Sequence, residues 1–308
     1  MAPPLGVKIE GGITIQGGIT AGNVPLPPPP TLMLNLDADT YDDTTTGTQQ
    51  NVSGTSDNIG FFPYGWPAYG VIQPGWTCVQ TGAVVTAVDG VNHVITTVGT
   101  PFTSGDSYTF TGANSWIDSV SDLPFILYNG VTLSSSGGNS MAFTSSSDQY
   151  AQCATSLSSL NTWSAVAWHY YDGTNDSGSP CIIAEVFTGG PINYMLGNNS
   201  DTSPLLMAGW YNGGWDMTGY TLTADNWYQI VGTYDGAHVR LYVNTVLVGE
   251  TPSTGAATSS GSGIRLMRRW DAAQYWGGKL GQVQVYDGAM RFSDILADWN
   301  ANKTRFGL

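Results

Sequence analysis

The chain has 308 residues, enough for one large domain with appendages or for two domains. Only 10% of the residues are charged, 41% are hydrophobic and 40 are glycine, a composition typical of a β-rich protein with a polar surface. Nine basic residues against 23 acidic ones give a net charge of -14, which would repel a phosphate backbone and excludes nucleic acid as a partner.

Residues 1–30 form an N-terminal arm that ends in a proline-rich spacer. The sequence GGIT occurs at 11–14 and again at 17–20, and five of the residues 25–30 are proline. Two such short units bury too little apolar area to offset their ordering entropy, so we expect the arm to order against a partner chain, with a disordered tail as the alternative. The apolar residues of the arm are Ile13, Ile15 and Ile19. Their alternation with polar residues predicts strand addition to a neighbouring protein or to other copies of the chain, a trimer being favoured.

The first eight residues and the cysteines carry no sign of export. Residues 1–8 lack a basic stretch followed by an apolar run, so no secretory signal is expected, and no run of about 18 apolar residues predicts a membrane span. Three cysteines without a Cys-x-x-Cys pair favour neither a zinc site nor a disulfide framework. We interpret Cys78, Cys153 and Cys181 as buried small hydrophobic residues, with a Cys153–Cys181 disulfide as the alternative.

A β insertion is predicted over residues 43–113. Aromatic residues crowd among glycine and proline at 61–76, unlike the rest of the chain. The β-rich runs at 84–88 and 93–98 flank an Asp-Gly turn, which predicts a hairpin.

The remaining segments, 31–42 and 114–308, are predicted to form an antiparallel sandwich. Its first strand is expected at 32–37, and further strand patterns recur at regular spacing between glycine, serine and asparagine clusters. The further strands are predicted at 140–143, 163–171, 181–187, 205–211, 227–234, 239–243, 263–267 and 278–286. Only 293–300 predicts a helix, with Ser293 as its cap.

Several of these segments resemble the laminin G-like branch of the concanavalin A-like jelly rolls. The motifs that carry the resemblance are WYQIVGTYDG at 227–236, VRLYVN at 239–244, GKLGQVQVY at 278–286, SDIL at 293–296, NLDA at 35–38, WIDS at 116–119, SMAF at 140–143 and DQY at 148–150. The resemblance implies the jelly-roll fold, but it leaves lectins, adhesion modules, glycosidases and virion proteins all open as functions. The N-terminal arm is similar to the arms of tailed-phage structural proteins, which are made in the host cytoplasm without a signal.

The acidic residues do not form the pattern that glycoside hydrolysis needs. A glycosidase on this fold would place two carboxylates about 5 to 5.5 Å apart on one face of a sheet for a retaining reaction. The chain has only three glutamates, far apart in sequence, and lacks a Glu-x-Asp-x-x-Glu signature. Glu185 with Asp216 is the pair that could serve instead; a solvated edge and a capped turn are the plainer interpretation.

Metal chemistry has one candidate loop. His93, His169 and His238 are isolated and lack zinc-ligand spacing. Residues 172–177 supply several oxygens in a tight loop, so calcium could bind there, whereas a hairpin loop rich in turn formers needs no metal. The calcium candidates are Asp172, Asn175 and Asp176.

Two aromatic clusters around polar turns suggest glycan binding. Sugar faces stack on aromatic rings while asparagine and aspartate bind hydroxyls, although tryptophans in a sandwich are at least as often core residues. The candidate glycan-binding residues are Trp210, Tyr211, Asn212, Trp215, Trp270, Tyr275 and Trp276. A third of the basic residues lie at Arg265, Arg268 and Arg269, either as a patch that docks an acidic neighbour or as a sheet edge guarded by charge.

The sequence therefore predicts an all-β protein, an antiparallel two-sheet jelly-roll sandwich with a β insertion and an extended N-terminal arm. The function it favours is non-enzymatic: a tailed-phage virion structural protein, on the capsid or tail surface, that displays a lectin-like domain for host-surface glycan. The arm would bind other virion proteins. A polysaccharide-degrading glycoside hydrolase and a cellular adhesion module are the alternatives.

Overall fold

A computed structural model describes two stretches of the chain and the backbones of short strands before and between them. The two stretches are residues 29–40 and 115–308, without 122, 136–137, 177, 187–191, 199–204, 212–214, 256–258, 260 and 272 and without the side chains at 40, 115, 205, 210, 211 and 215–218. Outside these two stretches, the structure describes only the backbones of nine strands between residues 8 and 111.

The N-terminal arm contains three short strands that pair with one another. They are β1 (Lys8–Ile9), β2 (Ile13–Ile15) and β3 (Ile19–Thr20). Both pairs are antiparallel, with β2 in the centre. The arm was expected to be extended and to pair with a partner chain. Its strands also pair with one another, so they satisfy part of their backbone hydrogen bonding within the chain.

The strand β4 (Thr31–Asp37) follows the spacer, and a separate six-stranded sheet follows β4 in the chain. The strands of that sheet are β5 (Thr46–Gln49), β6 (Ile59–Phe61), β7 (Thr77–Cys78), β8 (Val84–Asp89), β9 (Val94–Val98) and β10 (Tyr108–Thr111). Their order is β5-β10-β7-β8-β9-β6. The predicted hairpin is confirmed, because β8 and β9 pair antiparallel.

Two antiparallel sheets form the sandwich, which confirms the predicted fold class. The first sheet contains β13 (Thr132–Ser134), β14 (Ser140–Phe143), β16 (Trp163–Tyr171), β21 (Asn226–Tyr234), β22 (His238–Val243), β23 (Val246–Pro252) and β25 (Gly278–Asp287). The second contains β11 (Ser115–Ile117), β12 (Pro124–Tyr128), β15 (Tyr150–Cys153), β17 (Cys181–Glu185), β18 (Ile192–Asn198), β19 (Leu205–Tyr211), β20 (Trp215–Thr221) and β24 (Ile264–Leu266). Their orders are β13-β14-β25-β16-β21-β22-β23, with β4 also on β25, and β11-β12-β15-β24-β17-β18-β19-β20.

The core lies between the inner faces of these sheets. Large rings fill it, among them Trp116, Trp163 and Tyr194, each completely buried. At Gly232 of β21 the sheets approach so closely that an added Cβ would lie 2.7 Å from the Ala208 Cβ of β19. Glycine is therefore needed there for packing.

The outer face of the first sheet is covered by the helix α1 (Phe292–Asn302), where a helix was predicted. Its first-turn carboxylate, Asp294, accepts a hydrogen bond from the backbone N of Arg291, so the cap lies there and not at Ser293, which is inside the helix. On the inner side, Asp298 Oδ2 accepts hydrogen bonds from Trp168 Nε1 (3.0 Å) and Gln229 Nε2 (2.7 Å) of the sheet. No described helix has both the length and the apolarity needed to cross a membrane.

The sandwich also contains two short 3-10 helices and two buried cysteines. The helices are Ala38–Thr40 and Ser145–Ser147. Cys153 and Cys181 are buried thiols, so the Cys153–Cys181 disulfide was the wrong alternative and the interpretation as small hydrophobic residues is confirmed for these two. The Cys78 side chain lies outside the described residues.

Candidate functional site

The outer face of the second sheet carries a cluster of tyrosine and arginine side chains. Along β12 and β15 alternate residues such as Leu127 and Ala151 enter the core, which leaves Tyr128 and Tyr150 partly exposed on the outer face. The antiparallel register pairs Tyr128 with Tyr150 and Gln152 with Arg265 of β24. We name Tyr128, Tyr150, Gln152, Arg265, Arg268 and Tyr275 the tyrosine–arginine platform.

The centre of the platform is a layered stack. The rings of Tyr128 and Tyr150 are parallel within 2°, with centroids 4.4 Å apart. The Arg268 guanidinium carbon lies 4.5 Å from the Tyr150 centroid and 5.6 Å from that of Tyr275. Since a stacked ring occupies one face of Tyr150, the guanidinium takes the other. Among the described ring and cation contacts, none covers the second face of Tyr128.

Hydrogen bonds hold the second arginine of the platform beside this stack. Arg265 donates from Nε to Gln152 Oε1 (3.0 Å) and from Nη1 to the carbonyl oxygens of Arg269 (3.2 Å) and Trp270 (2.7 Å). None of the described hydrogen bonds of Arg265 uses Nη2. Nη2 of Arg265 therefore keeps donor capacity for a ligand.

Backbone strain at Met267 sets the position of Arg268. Met267 has φ 59°, in the left-handed region that is uncommon for residues other than glycine, although it is fully buried. The chain turns there at the end of β24, and a bridge then pairs Arg268 with Tyr275. Strained backbone of this kind costs about 1 to 3 kcal/mol and clusters at functional sites.

The loop 172–177 supports the platform from the side. The Asp176 Oδ2 accepts a hydrogen bond from the backbone N of Tyr275 (2.9 Å). Asp172 Oδ1 accepts from Thr174 N (2.8 Å) and Oγ1 (2.7 Å), and Asn175 Oδ1 accepts from a tyrosine hydroxyl (3.1 Å). All three calcium candidates thus accept hydrogen bonds from protein donors, and the described residues contain no group of three or more His, Cys, Asp or Glu that could hold a metal ion.

Burial and neighbouring charges shift the pKa values of two platform residues. Burial lowers the pKa of Arg265, and the neighbouring Arg268 lowers it further. Burial and Tyr150 raise the pKa of Tyr128, while the two arginines oppose that rise. An anionic group on the platform would therefore relieve repulsion between like charges.

The predicted glycan-binding aromatics have different positions. Tyr275, 6% exposed, belongs to the platform, and Trp270, also 6% exposed, lies under the Arg269 guanidinium at 4.7 Å. Trp276 is fully buried and packs in the core of the sandwich. Its ring therefore offers no face to a sugar, and its prediction as a glycan-binding residue is wrong. The other four predictions, Trp210, Tyr211, Asn212 and Trp215, lie outside the side chains that the structure describes.

The carboxylate considered for catalysis is buried. Glu185 is completely inaccessible, with Oε2 accepting from Asn193 N (2.9 Å) and Oε1 from the Ser259 hydroxyl (2.5 Å). The solvated edge proposed for it is therefore wrong, because β17 lies inside the second sheet. The side chain of Asp216 lies outside the described residues.

Sequence reasoning did not find Tyr128, Tyr150 and Gln152. Alternation of apolar residues in 124–128 could have placed Tyr128 on an outer face. Sequence reasoning did identify the arginine cluster. The alternative interpretation of that cluster as a guarded sheet edge is wrong, because β24, which carries Arg265, pairs with β15 on one side and β17 on the other.

Comparison with known proteins agrees with this architecture. Residues 144–296 match the family model described as the concanavalin A-like lectin/glucanases superfamily. These residues of the sandwich are therefore similar to concanavalin A-like lectin domains. A comparison with curated protein sequences finds no match.

Several solved structures are similar to this chain at low sequence identity. Domain 4 of AbnA, a GH43 extracellular arabinanase from Geobacillus stearothermophilus solved with arabinotriose, is 16% identical with a TM-score of 0.45, covering 59% of this chain and 91% of that one. The binding domain of Paraclostridial Mosquitocidal Protein 1 is 12% identical with a TM-score of 0.50, covering 60% and 49%. A structure of botulinum neurotoxin type C, a toxin whose cell entry depends on interaction with two ganglioside molecules, is 11% identical with a TM-score of 0.47, covering 61% and 49%. The match thus spans about half the length of the two toxin chains.

Proposed function

We propose that this chain is a non-catalytic virion structural protein of a tailed phage whose sandwich domain binds glycan through the tyrosine–arginine platform. The platform is the observation that carries the proposal. It combines flat aromatic surface with hydroxyl, amide and guanidinium donors on one partly exposed sheet face, which is the combination that sugar rings and hydroxyls require. Its side chains are already held by stacking and hydrogen bonds, so the loss of side-chain conformational entropy on binding is small.

The absence of catalysis is part of the proposal. The buried state of Glu185 supports it, because a general acid or nucleophile must reach the glycosidic bond. Incubation with a polysaccharide panel and a reducing-end assay should give no turnover. Sustained turnover that is lost in Glu185→Gln or Asp216→Asn would show an enzyme.

Glycan binding is tested on a glycan array with a variant of the stack. Tyr128→Ala removes the ring whose second face is available, and should weaken binding at least about tenfold, since an aromatic contact and its area are worth more than 1.4 kcal/mol. Tyr220→Ala is the matched control, because Tyr220 is 37% exposed on β20, at the edge of the same sheet. Equal binding by wild type and Tyr128→Ala would contradict the platform as the site.

Virion attachment is assigned to the arm. Its resemblance to phage arms supports this role, and β1 and β3 are the edges of its three-stranded sheet, where a strand from a neighbouring protein can pair. The full chain should be found in purified particles by mass spectrometry, and a chain without residues 1–30 should not. Normal incorporation of the shortened chain would contradict anchoring by the arm.

A further inference from the structure

A cleft of about 500 Å³ lies at one end of the first sheet, where the proline-rich spacer joins the sandwich. The register brings the ends of three strands together there, because Asp287 pairs with both Thr31 and Trp163. Pro29 and Pro30 form one wall of the cleft. Its volume is in the range of about 300 to 1,000 Å³ that is typical of ligand pockets.

Backbone contacts fix the shape of this cleft. Gly288 donates from its backbone N to the carbonyl oxygen of Thr162 (3.0 Å), and its own carbonyl oxygen accepts from the Ser164 hydroxyl (2.9 Å). A Cβ added at Gly288 would lie 3.0 Å from the Pro30 Cβ, so the end of the spacer packs directly on this glycine. The cleft is therefore formed before a ligand binds, which lowers the entropic cost of binding.

The polar side chains that line the cleft offer oxygen atoms, and none of the lining residues is basic. Asp235 is already used, because it accepts hydrogen bonds from two backbone N–H groups and pairs with Arg240. None of the described hydrogen bonds or ion pairs, by contrast, involves the side chain of Thr31, Thr162 or Asp287. Two carboxylate oxygens and two hydroxyls therefore remain as four acceptors for a ligand.

We propose that the cleft binds an arginine side chain of the virion protein to which the arm attaches. This inference rests on the attachment proposed above and names the chemistry of its partner. A guanidinium has five donors in a planar fork, whereas a lysine ammonium has only three donors for the four acceptors. Two parallel hydrogen bonds to Asp287 leave three guanidinium N–H groups for the threonine hydroxyls. The proline wall packs against the alkyl stem of the arginine.

The position of the cleft and the charge of the chain both favour this occupant. As a polyproline helix, residues 25–30 would span about 19 Å at about 3.1 Å per residue, so a protein that holds the arm stays near the mouth of the cleft. The net charge of -14 attracts a basic surface at long range. Asp287 then provides a specific partner for one cation on that surface.

The first test uses the full-length protein and two probes that differ in charge. N-acetyl-arginine amide and its neutral isostere N-acetyl-citrulline amide are titrated into isotopically labelled protein, and the backbone amide signals of Thr162, Gly288 and Ala289 are followed by NMR. The arginine probe should shift these signals with an affinity at least about tenfold higher than that of the citrulline probe. Asp287→Asn should remove this difference.

Asp148→Asn is the matched control, because Asp148 is an exposed aspartate that precedes β15 of the second sheet, and it should keep the difference between the probes. If Asp287→Asn unfolds, the comparison of the two probes on the wild-type protein still decides. Equal shifts with both probes, or no shift with the arginine probe, overturn the arginine site.

The second test identifies the occupant in purified particles. Ala237, which is exposed and lies two residues from Asp235, is replaced by the photocrosslinker benzoylphenylalanine so that the cleft itself stays open. Mass spectrometry should find the crosslink on another virion protein, in a peptide that contains an arginine. A chain that is present in particles but crosslinks to its own arm, to a peptide without arginine or to nothing overturns this inference while the proposed function stands. Absence of the wild-type chain from particles overturns the proposed function instead.

Discussion

Acid sensitivity of this protein should depend strongly on one buried histidine. His169 of β16 is completely buried, with Nδ1 3.1 Å from the carbonyl oxygen of Lys279 and its ring edge-on to Trp276 at 5.8 Å. Since the partner is a carbonyl, Nδ1 carries the proton of the neutral ring. Burial lowers the pKa of His169 to about 3, against a weak opposing effect of the hydrogen bond.

The size of the effect follows from linkage. In the unfolded chain the histidine pKa is about 6.5, so below that pH the unfolded state binds a proton that the folded state does not. The contribution of the neutral His169 ring to the free energy of unfolding is therefore fully present above about pH 6.5, and it is lost as the pH falls from about 6.5 towards 3. Between pH 8 and pH 4.5 the loss in the free energy of unfolding is about 2.7 kcal/mol.

Urea unfolding of wild type and His169→Phe at pH 8 and pH 4.5 measures this loss. The carboxylates titrate alike in both proteins, so wild type should lose about 2.7 kcal/mol more than the variant over that interval. Val231→Ala is the control, because it removes buried apolar contacts without removing a titrating group. The same pH dependence in wild type and His169→Phe would refute the buried neutral imidazole.

Three further substitutions test the fold by chemical denaturation. Thr245→Gly should stabilise by about 0.5 to 1 kcal/mol, because Thr245 has φ 67° in the β22–β23 turn, a conformation that costs a β-branched residue more than it costs glycine; a loss would contradict strain there. Gly232→Ala should cost about 1 to 3 kcal/mol by overpacking, and adding Ala208→Gly should recover part of it, whereas no recovery would place the clash elsewhere. Arg305→Met should lower the free energy of unfolding by about 2 to 3 kcal/mol, because Arg305 Nη1 lies 2.8 Å from Asp37 Oδ1 and ties the C-terminus to the first sandwich strand. This loss should be smaller when Asp37→Asn is already present, whereas full additivity of the two substitutions would refute the ion pair.

How far the sequence predicts this molecule depends on whether a signal is local. The strand Trp163–Tyr171 was predicted to the residue, because seven of its nine residues are β-branched, aromatic or small apolar and the strand stands between polar turns. Pro124–Tyr128 was missed, since it is short and begins with proline, which favours edges and turns. The arm's repeat predicted strands, but periodicity does not say whether a strand pairs within its own chain or with another.

The platform was beyond sequence reasoning for a related reason. Tyr128 and Tyr150 are 22 positions apart and meet only because β12 and β15 pair in one register; a shift of one residue would turn both rings into the core. Arg268 reaches Tyr150 only because Met267 adopts a conformation that its side chain disfavours. No propensity predicts that turn.

These same features make the platform suited to binding. Tyr128, Tyr150 and Arg265 stand on strands inside an eight-stranded sheet, whereas residues on loops must be ordered when a ligand binds. The strain at Met267 is maintained by a fully buried side chain, so the position of Arg268 is fixed before any ligand arrives. Met267→Gly relaxes that strain but also deletes a fully buried core side chain, so it should destabilise the fold by about 1 to 4 kcal/mol and free the 268–275 hairpin to move. A binding site would then lose affinity, whereas a purely structural patch would show no change in ligand binding.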